Sequence, residues 1–172
     1  AHEALSRLAE RLSCDTAMID LQLEKLACYP LEITAEVVDA LISRELEDNV
    51  FQLSEALLKG KFKKAYQVYK DMVSLSNDPI YLLAVVVSQL RFYYQVKVCM
   101  MQGMGEERTA SYLKAHPYRV KLTMQIVAGI EADTIMKLLD AALTCDLDIK
   151  NGRRDKFFAF EMFMIQCQEE II

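Results

Sequence analysis

The sequence predicts an all-α protein: a few short helices at the N-terminal side, then a compact helical bundle. Three observations carry this. Only 5 Gly and 3 Pro punctuate 172 residues, which suits long helices rather than many tight turns. Apolar residues make up 53% of the chain and recur at spacings of three, four and seven, the period of a helix face. Runs of alternating apolar and polar residues bounded by turn formers, the mark of strands, are hard to find.

The elements follow in order. His2 to Leu12 reads as a helix with Ala4, Leu5, Leu8 and Leu12 on one face. Asp15 is placed to cap a second helix, Thr16 to Tyr29, with Ile19, Leu23 and Leu26 inward, before Pro30 breaks it. Thr34 is placed to cap a third, from Ala35 to about Ser43, with Val37, Val38, Leu41 and Ile42 apolar. These three are too short to build much core alone. The acidic ELED at 45–48 reads as a domain boundary. Asn49 to Lys59 carries Val50, Leu53 and Leu57 on one face and stops at Gly60. Lys61 to Leu75 carries Phe62, Ala65, Tyr66, Tyr69, Met72 and Val73 as one stripe, so a one-glycine turn makes an antiparallel hairpin. The hairpin resembles half a tetratricopeptide unit, but no second copy recurs at the required period.

The stretch PIYLLAVVVSQLRFYYQVKVCMM, Pro79 to Met101, is the organising element. Asp78 is a candidate N-cap, Pro79 suits the first helical position, and Gly103 is a plausible left-handed stop. Its apolar residues run almost all round, leaving Ser88, Arg91, Gln95 and Gln102 as a narrow wet stripe, so other helices must surround it. Arg91 ends the uncharged run well short of the roughly 20 residues a membrane span needs, so no membrane is expected. Glu106 to Lys114 reads as a shorter helix. His116 before Pro117 is extended and opens another, through about Ala128. Glu131 to Asn151 carries Ile135, Leu138, Ala142, Cys145 and Ile149 on one face and an Asp146/Lys150 pair on another, with a stop at Gly152. Arg153 to Gln168 is last: Phe157, Phe160, Met164 and Cys167 form its face, Phe158, Met162 and Ile165 widen it, and the central helix is its expected neighbour.

Net charge is -5, a poor basis for binding nucleic acid by bulk electrostatics. The 5 cysteines, Cys14, Cys28, Cys99, Cys145 and Cys167, are odd in number and none forms C-x-x-C; buried, reduced thiols in a cytoplasmic protein are expected. With His2 and His116 as the only histidines, neither a zinc site nor a histidine-based catalytic pair is expected. LLKGKFKKA lacks the first glycine and the hydroxyl of a phosphate loop. Asp146 and Asp148, two apart on a helix, face different ways. The reading is therefore of a non-enzyme without cofactor or metal. Lys59, Lys61, Lys63 and Lys64 form a basic knot around the hairpin turn, read either as a contact for nucleic acid or an acidic partner or, most simply, as a solvated helix end. Glu106 to Gln125 has an alternative reading as a helix-turn-helix with Tyr118, Arg119, Lys121, Thr123 and Gln125 facing a major groove, although Val120, Leu122, Met124, Ile126 and Val127 on the same helix want burial. A helical peptide-binding adaptor is a further alternative.

A series of phrases in register carries a family resemblance over nearly the whole chain: DLQLEKLACY, then EITAEVVDALISRELEDNVFQLSEALLKGKFKKA, then DPIYLLAVVVSQLRFYYQVK, HPYRVK and LDIKNGRRDKFFAFEMFM. In that order they resemble the C-terminal half of the delta subunit of bacterial DNA polymerase III, the sliding-clamp loader. Asn151 stands where that family tends to have threonine. The resemblance implies that residues 1–45 are the tail of an AAA+ lid domain and residues 46–172 a helical collar domain. It implies assembly with sister subunits of tau/gamma and delta-prime type, DNA in the assembled complex, a sliding clamp gripped only through an N-terminal domain missing here, and no ATP hydrolysis. The chain does not begin with Met and is expected to be a piece of a longer protein. A module without chemistry must work through its surface, and Arg91, Gln95, Lys150, Arg153 and Arg154 are the expected subunit-interface residues.

Overall fold

The structure, a computed structural model, describes residues 4, 5, 8, 16–41 and 46–171, with backbone alone at 16–18, 39–40 and 46–48. The described residues hold nine helices: α1 Thr16–Ala27, α2 Ala35–Leu41, α3 Leu46–Leu58, α4 Phe62–Ser74, α5 Pro79–Met101, α6 Glu106–Leu113, α7 Pro117–Val127, α8 Ala132–Lys150 and α9 Lys156–Glu169. No strand occurs among them. The chain divides into two compact units, Ala1–Asn49 and Val50–Ile172. Leu46, Glu47 and Asp48, read in the sequence as a boundary, lie inside α3.

In the first unit the expected helix from His2 to Leu12 and the Asp15 cap fall largely outside the described residues; Ala4, Leu5 and Leu8 are helical. Ala4, Leu26 and Val38 form a small core with Leu8, Ile33 and Leu41 packed against it. Thr34 Oγ1 accepts from the Val37 N–H at 3.4 Å, capping α2 as its position predicts. Lys25 Nζ donates to the Leu41 carbonyl at 2.6 Å, placing a cation at the C-terminal end of α2. Leu23, expected inward, is 44% exposed.

The second unit is built on α5, which packs against α6, α7, α8 and α9. Its ends obey the sequence. Asp78 Oδ1 accepts from the Ile80 N–H at 2.9 Å, Pro79 occupies the first turn, and Gly103 turns left-handed at φ +73°. Leu82, Val86, Leu90, Tyr93 and Val96 are fully buried, each aliphatic one stabilising by about 1.5–3 kcal/mol. Against that, the exposed Lys59–Glu55 pair at 2.6 Å contributes at most about 1 kcal/mol, so apolar burial holds the bundle. None of the described helices is long and apolar enough to cross a membrane.

Helices α3, α4, α5, α6 and α8 end alike: the N–H five residues on bonds back over the last turn, and the residue before it turns left-handed. The pairs are Lys61 to Ala56, Asn77 to Met72, Met104 to Cys99, Ala115 to Ala110 and Arg153 to Asp148. Gly60, Gly103 and Gly152 supply three of the left-handed residues; Ser76 and Lys114 supply the others at φ +65° and +52°.

The last helix differs from its expectation in two ways. It starts at Lys156 rather than Arg153, because the Asp155 carboxylate accepts from the Phe157 and Phe158 N–H groups and fixes the cap there. Its main neighbour is α8, with α4 and α5 beside it. The buried face is therefore Ala159, Phe160, Phe163, Met164 and Cys167, and Phe157 is left 43% exposed. Phe160 stacks on Tyr69 of α4, rings 4.4 Å apart and 3° from parallel. Cys99, Cys145 and Cys167 are buried thiols as expected, while Cys28 is exposed at the end of α1 and Cys14 lies outside the described residues.

Candidate functional site

Two stripes of equal spacing meet on one side of the second unit. On α5 they are Ile80, Ala84, Val87 and Arg91; on α8 they are Leu139, Leu143, Asp146 and Lys150. Steps of four, three and four put each set on one helix face. Between them, with Leu83 and Ala142 as floor, runs a groove enclosing about 580 Å³. The helices are antiparallel here. Lys156, just past the α8–α9 corner, bonds to Asp78 at the start of α5. At the other end Lys97 of α5 donates to the carbonyls of Val127 and Ala128, just before α8 begins. Hence Lys150 stands at the Ile80 end of the groove and Arg91 at the Leu139 end.

The floor and most of the walls are apolar, and Ile80 and Leu143 remain 44% and 55% exposed. Lys150 Nζ is engaged by Asp146 at 2.7 Å. Asp78 is held below the usual carboxylate range by Lys156 first and by the Ile80 N–H second, so the corner beside the groove stays ionised and tied near neutral pH. The arrangement offers a largely apolar trough with Arg91 and Lys150 at opposite ends and Asp140 and Asp146 along its α8 side. That suits a helix or strand of another chain bearing apolar anchors between charged residues.

The five expected interface residues part company in the structure. Arg91 and Lys150 line the same groove. Gln95 is exposed one turn beyond Arg91 and outside the lining. Arg153 and Arg154 both reach back to α8: their guanidinium nitrogens lie 3.8 and 3.4 Å from the Asp148 carboxylate, Arg153 staying exposed, and their N–H groups bond to the Asp148 carbonyl at 2.9 and 3.3 Å. Asp148 is 9% exposed, and its role at this corner is what sequence reasoning misses. Its only local signal is the Asp-x-x-x-x-Arg-Arg spacing across Gly152.

The helix-turn-helix reading meets an obstacle in α7. Thr123, one of the five side chains it needs facing outward, is fully buried. Arg119 is turned back onto α5, donating to Gln89 Oε1 at 2.8 Å with its guanidinium 4.4 Å from the Phe92 ring centre.

Residues 47–167 match the family described as DNA polymerase III delta subunit, C-terminal domain. The DNA polymerase III subunit delta of Bacillus subtilis is 32% identical over 135 residues, covering 78% of this chain and 39% of that protein. A solved structure of the Bacillus subtilis DNA clamp loader delta protein superposes with a TM-score of 0.80 at 28% identity, over 98% of this chain and 51% of that one. The chain thus spans between about two fifths and half the length of these relatives.

Proposed function

Because the chain belongs to the family of C-terminal domains of the DNA polymerase III delta subunit, we propose that it is an assembly module of a clamp loader, working by being held between sister subunits rather than by catalysing a reaction. In this reading residues 1–45 belong to an AAA+ lid and residues 46–172 form the collar. The partners are subunits of tau/gamma and delta-prime type. The sliding clamp is reached through the N-terminal part of the full-length protein, and DNA is met in the assembled complex in the cytoplasm.

One observation carries the choice of surface: the groove between α5 and α8 joins exposed Ile80 and Leu143 to Arg91 and Lys150 in one trough. An exposed apolar strip rimmed by charge is the usual form of a protein-binding face. Gln95 extends its polar end. Arg153 and Arg154 contribute indirectly, by fixing the corner that presents Lys150.

The test is co-elution in gel filtration with tau/gamma-type and delta-prime-type subunits. The folded chain co-elutes, and Leu143→Asp combined with Arg91→Glu weakens association by about tenfold or more while circular dichroism is unchanged. A folded chain that elutes alone, or a double variant that assembles as well as the parent, refutes this reading.

A further inference from the structure

Away from that groove, the α3–α4 turn forms a shallow cleft lined by Lys61, Lys63 and Lys64, by Phe62, and by Gln67 and Gln168 beside Gly60. We propose that this cleft docks a short acidic peptide segment of another protein, its carboxylates meeting the lysines and an apolar side chain beside them resting on Phe62.

Charge is the first argument. No carboxylate lines the cleft, and among the described residues none of the three lysines has an ion-pair partner. Neighbouring acids that could compensate are already engaged: Glu55 holds Lys59 at 2.6 Å, and Glu170 holds Lys137 at 3.0 Å. The positive patch is also short. One turn past Gln67 on α4, Asp71 Oδ1 accepts from Gln67 Nε2 at 2.8 Å, and Glu161 Oε1 accepts from the Tyr66 hydroxyl at 3.3 Å. Three cations bounded by these carboxylates match a few adjacent acidic side chains, and repel a long polyanion once it leaves the turn.

Hydrogen-bonding capacity is the second. With its amide nitrogen held by Asp71, Gln67 keeps Oε1 to accept, and Gln168 brings a second side-chain amide to the cleft. A peptide backbone has both N–H and C=O groups to meet them; a phosphodiester has no donor.

The apolar contact is the third. Phe62 is half-buried and lines the cleft, whereas Tyr66 does not. The Tyr66 ring is flanked on its own helix: Phe62, four residues before, lies 6.2 Å away and 21° from parallel, and Lys70, four residues after, has Nζ 6.0 Å from the ring centre. The cleft therefore presents one apolar anchor point rather than a row of open ring faces. A leucine or isoleucine beside acidic residues needs no more than that.

Gly60 lies against Ile171, at the C-terminal end of α9, whereas Arg153, Arg154 and the Asp78–Lys156 bond lie at the opposite end of that helix. The cleft is a separate surface, and a peptide lying in it leaves the α5–α8 groove uncovered.

Fluorescence anisotropy tests this with a labelled decapeptide carrying three consecutive glutamates followed by two leucines among glycines and serines. The parent chain binds it at 50 mM salt and severalfold more weakly at 200 mM, where screening is stronger. Lys61→Ala/Lys63→Ala/Lys64→Ala lowers affinity by about tenfold or more at 50 mM salt. A peptide with serines in place of both leucines, offered to the unaltered chain, binds about tenfold more weakly. Lys121→Ala, on α7, leaves binding unchanged, and circular dichroism confirms the fold of each variant. The proposal is overturned by no saturable binding up to about 1 mM chain at 50 mM salt, by a triple variant that binds like the parent, by a serine peptide that binds as tightly as the leucine one, or by a chain that binds an oligothymidylate but not the peptide.

Discussion

Removing one oxygen from the core is expected to make the protein more stable. Tyr69 is 1% exposed, its ring lies flat on Phe160 at 4.4 Å, and its hydroxyl is buried without a hydrogen-bond partner. Burial chiefly, and the nearby Glu161 charge after it, push its phenol well above the ordinary range. A buried hydroxyl without a partner costs about 1–3 kcal/mol by mutational measures. Tyr69→Phe removes that cost, keeps the ring stack, and gives up only a handful of atom contacts at about 0.1–0.2 kcal/mol each. The net expectation is stabilisation by about 1 kcal/mol. With a urea slope of about 2 kcal/mol/M the unfolding midpoint rises by about 0.5 M. Because the chain has two compact units, the assay is native-state hydrogen exchange read on the amides of α4 and α9, with urea unfolding by circular dichroism beside it. A variant less stable than the parent by 0.5 kcal/mol or more, taking that threshold as about the usual worth of a hydrogen bond, would refute the reasoning, since it would mean that the hydroxyl is bonded in the folded state.

The same burial sets the response to alkali. Tyr69 and Tyr93 are both raised above the ordinary phenol value by burial, and burial pushes Cys145 up to about 12. The folded state keeps these protons while the unfolded state loses them. The associated stability is thus complete below the unfolded values and falls as pH rises from about 9 for the thiol and about 10 for the phenols. Each group contributes a slope of about 1.4 kcal/mol per pH unit, and Tyr69→Phe removes one such slope from urea titrations between pH 10 and 11. At the helix ends, Gly60→Ala forces a side chain into φ +65° and brings its Cβ to 3.2 Å from Ile171 Cγ2, costing about 1–2 kcal/mol; Lys114→Gly relieves the same conformation at φ +52° and is neutral to stabilising by about 1 kcal/mol in thermal unfolding. Alkylation followed by peptide mapping finds Cys28 modified in the folded protein and Cys99, Cys145 and Cys167 protected until denaturant is added.

Much of the fold is written locally. Asp78-Pro79, Thr34, His116-Pro117 and the left-handed glycines at 60, 103 and 152 carry their meaning within four residues, and the structure uses each as its chemistry dictates. What failed to show was decided by neighbours. Helix α9 is apolar nearly all round, so its own sequence does not say whether Phe157 or Phe163 faces inward; the position of α8 does. Ser76 and Lys114 carry no glycine-like signal and adopt left-handed geometry because the turns around them close. The start of α9 falls later than expected because Gly152 only ends α8, whereas the Asp155 carboxylate sets where the next helix begins. Of the candidate surface, spacing alone singled out Arg91 on α5 and the Asp146/Lys150 pair on α8, but not the apolar residues between them. That Arg91 and Lys150 share a trough needed the antiparallel packing, and the return of Arg153 and Arg154 to α8 needed Asp148.

The double duty of Asp148 has a mechanical consequence. One residue receives both backbone amides of the dipeptide that follows the turn and lies beside both of its guanidinium groups, so the joint between α8 and α9 is tied at a single point. Replacing that single carboxylate should loosen the elbow before it unfolds either arm.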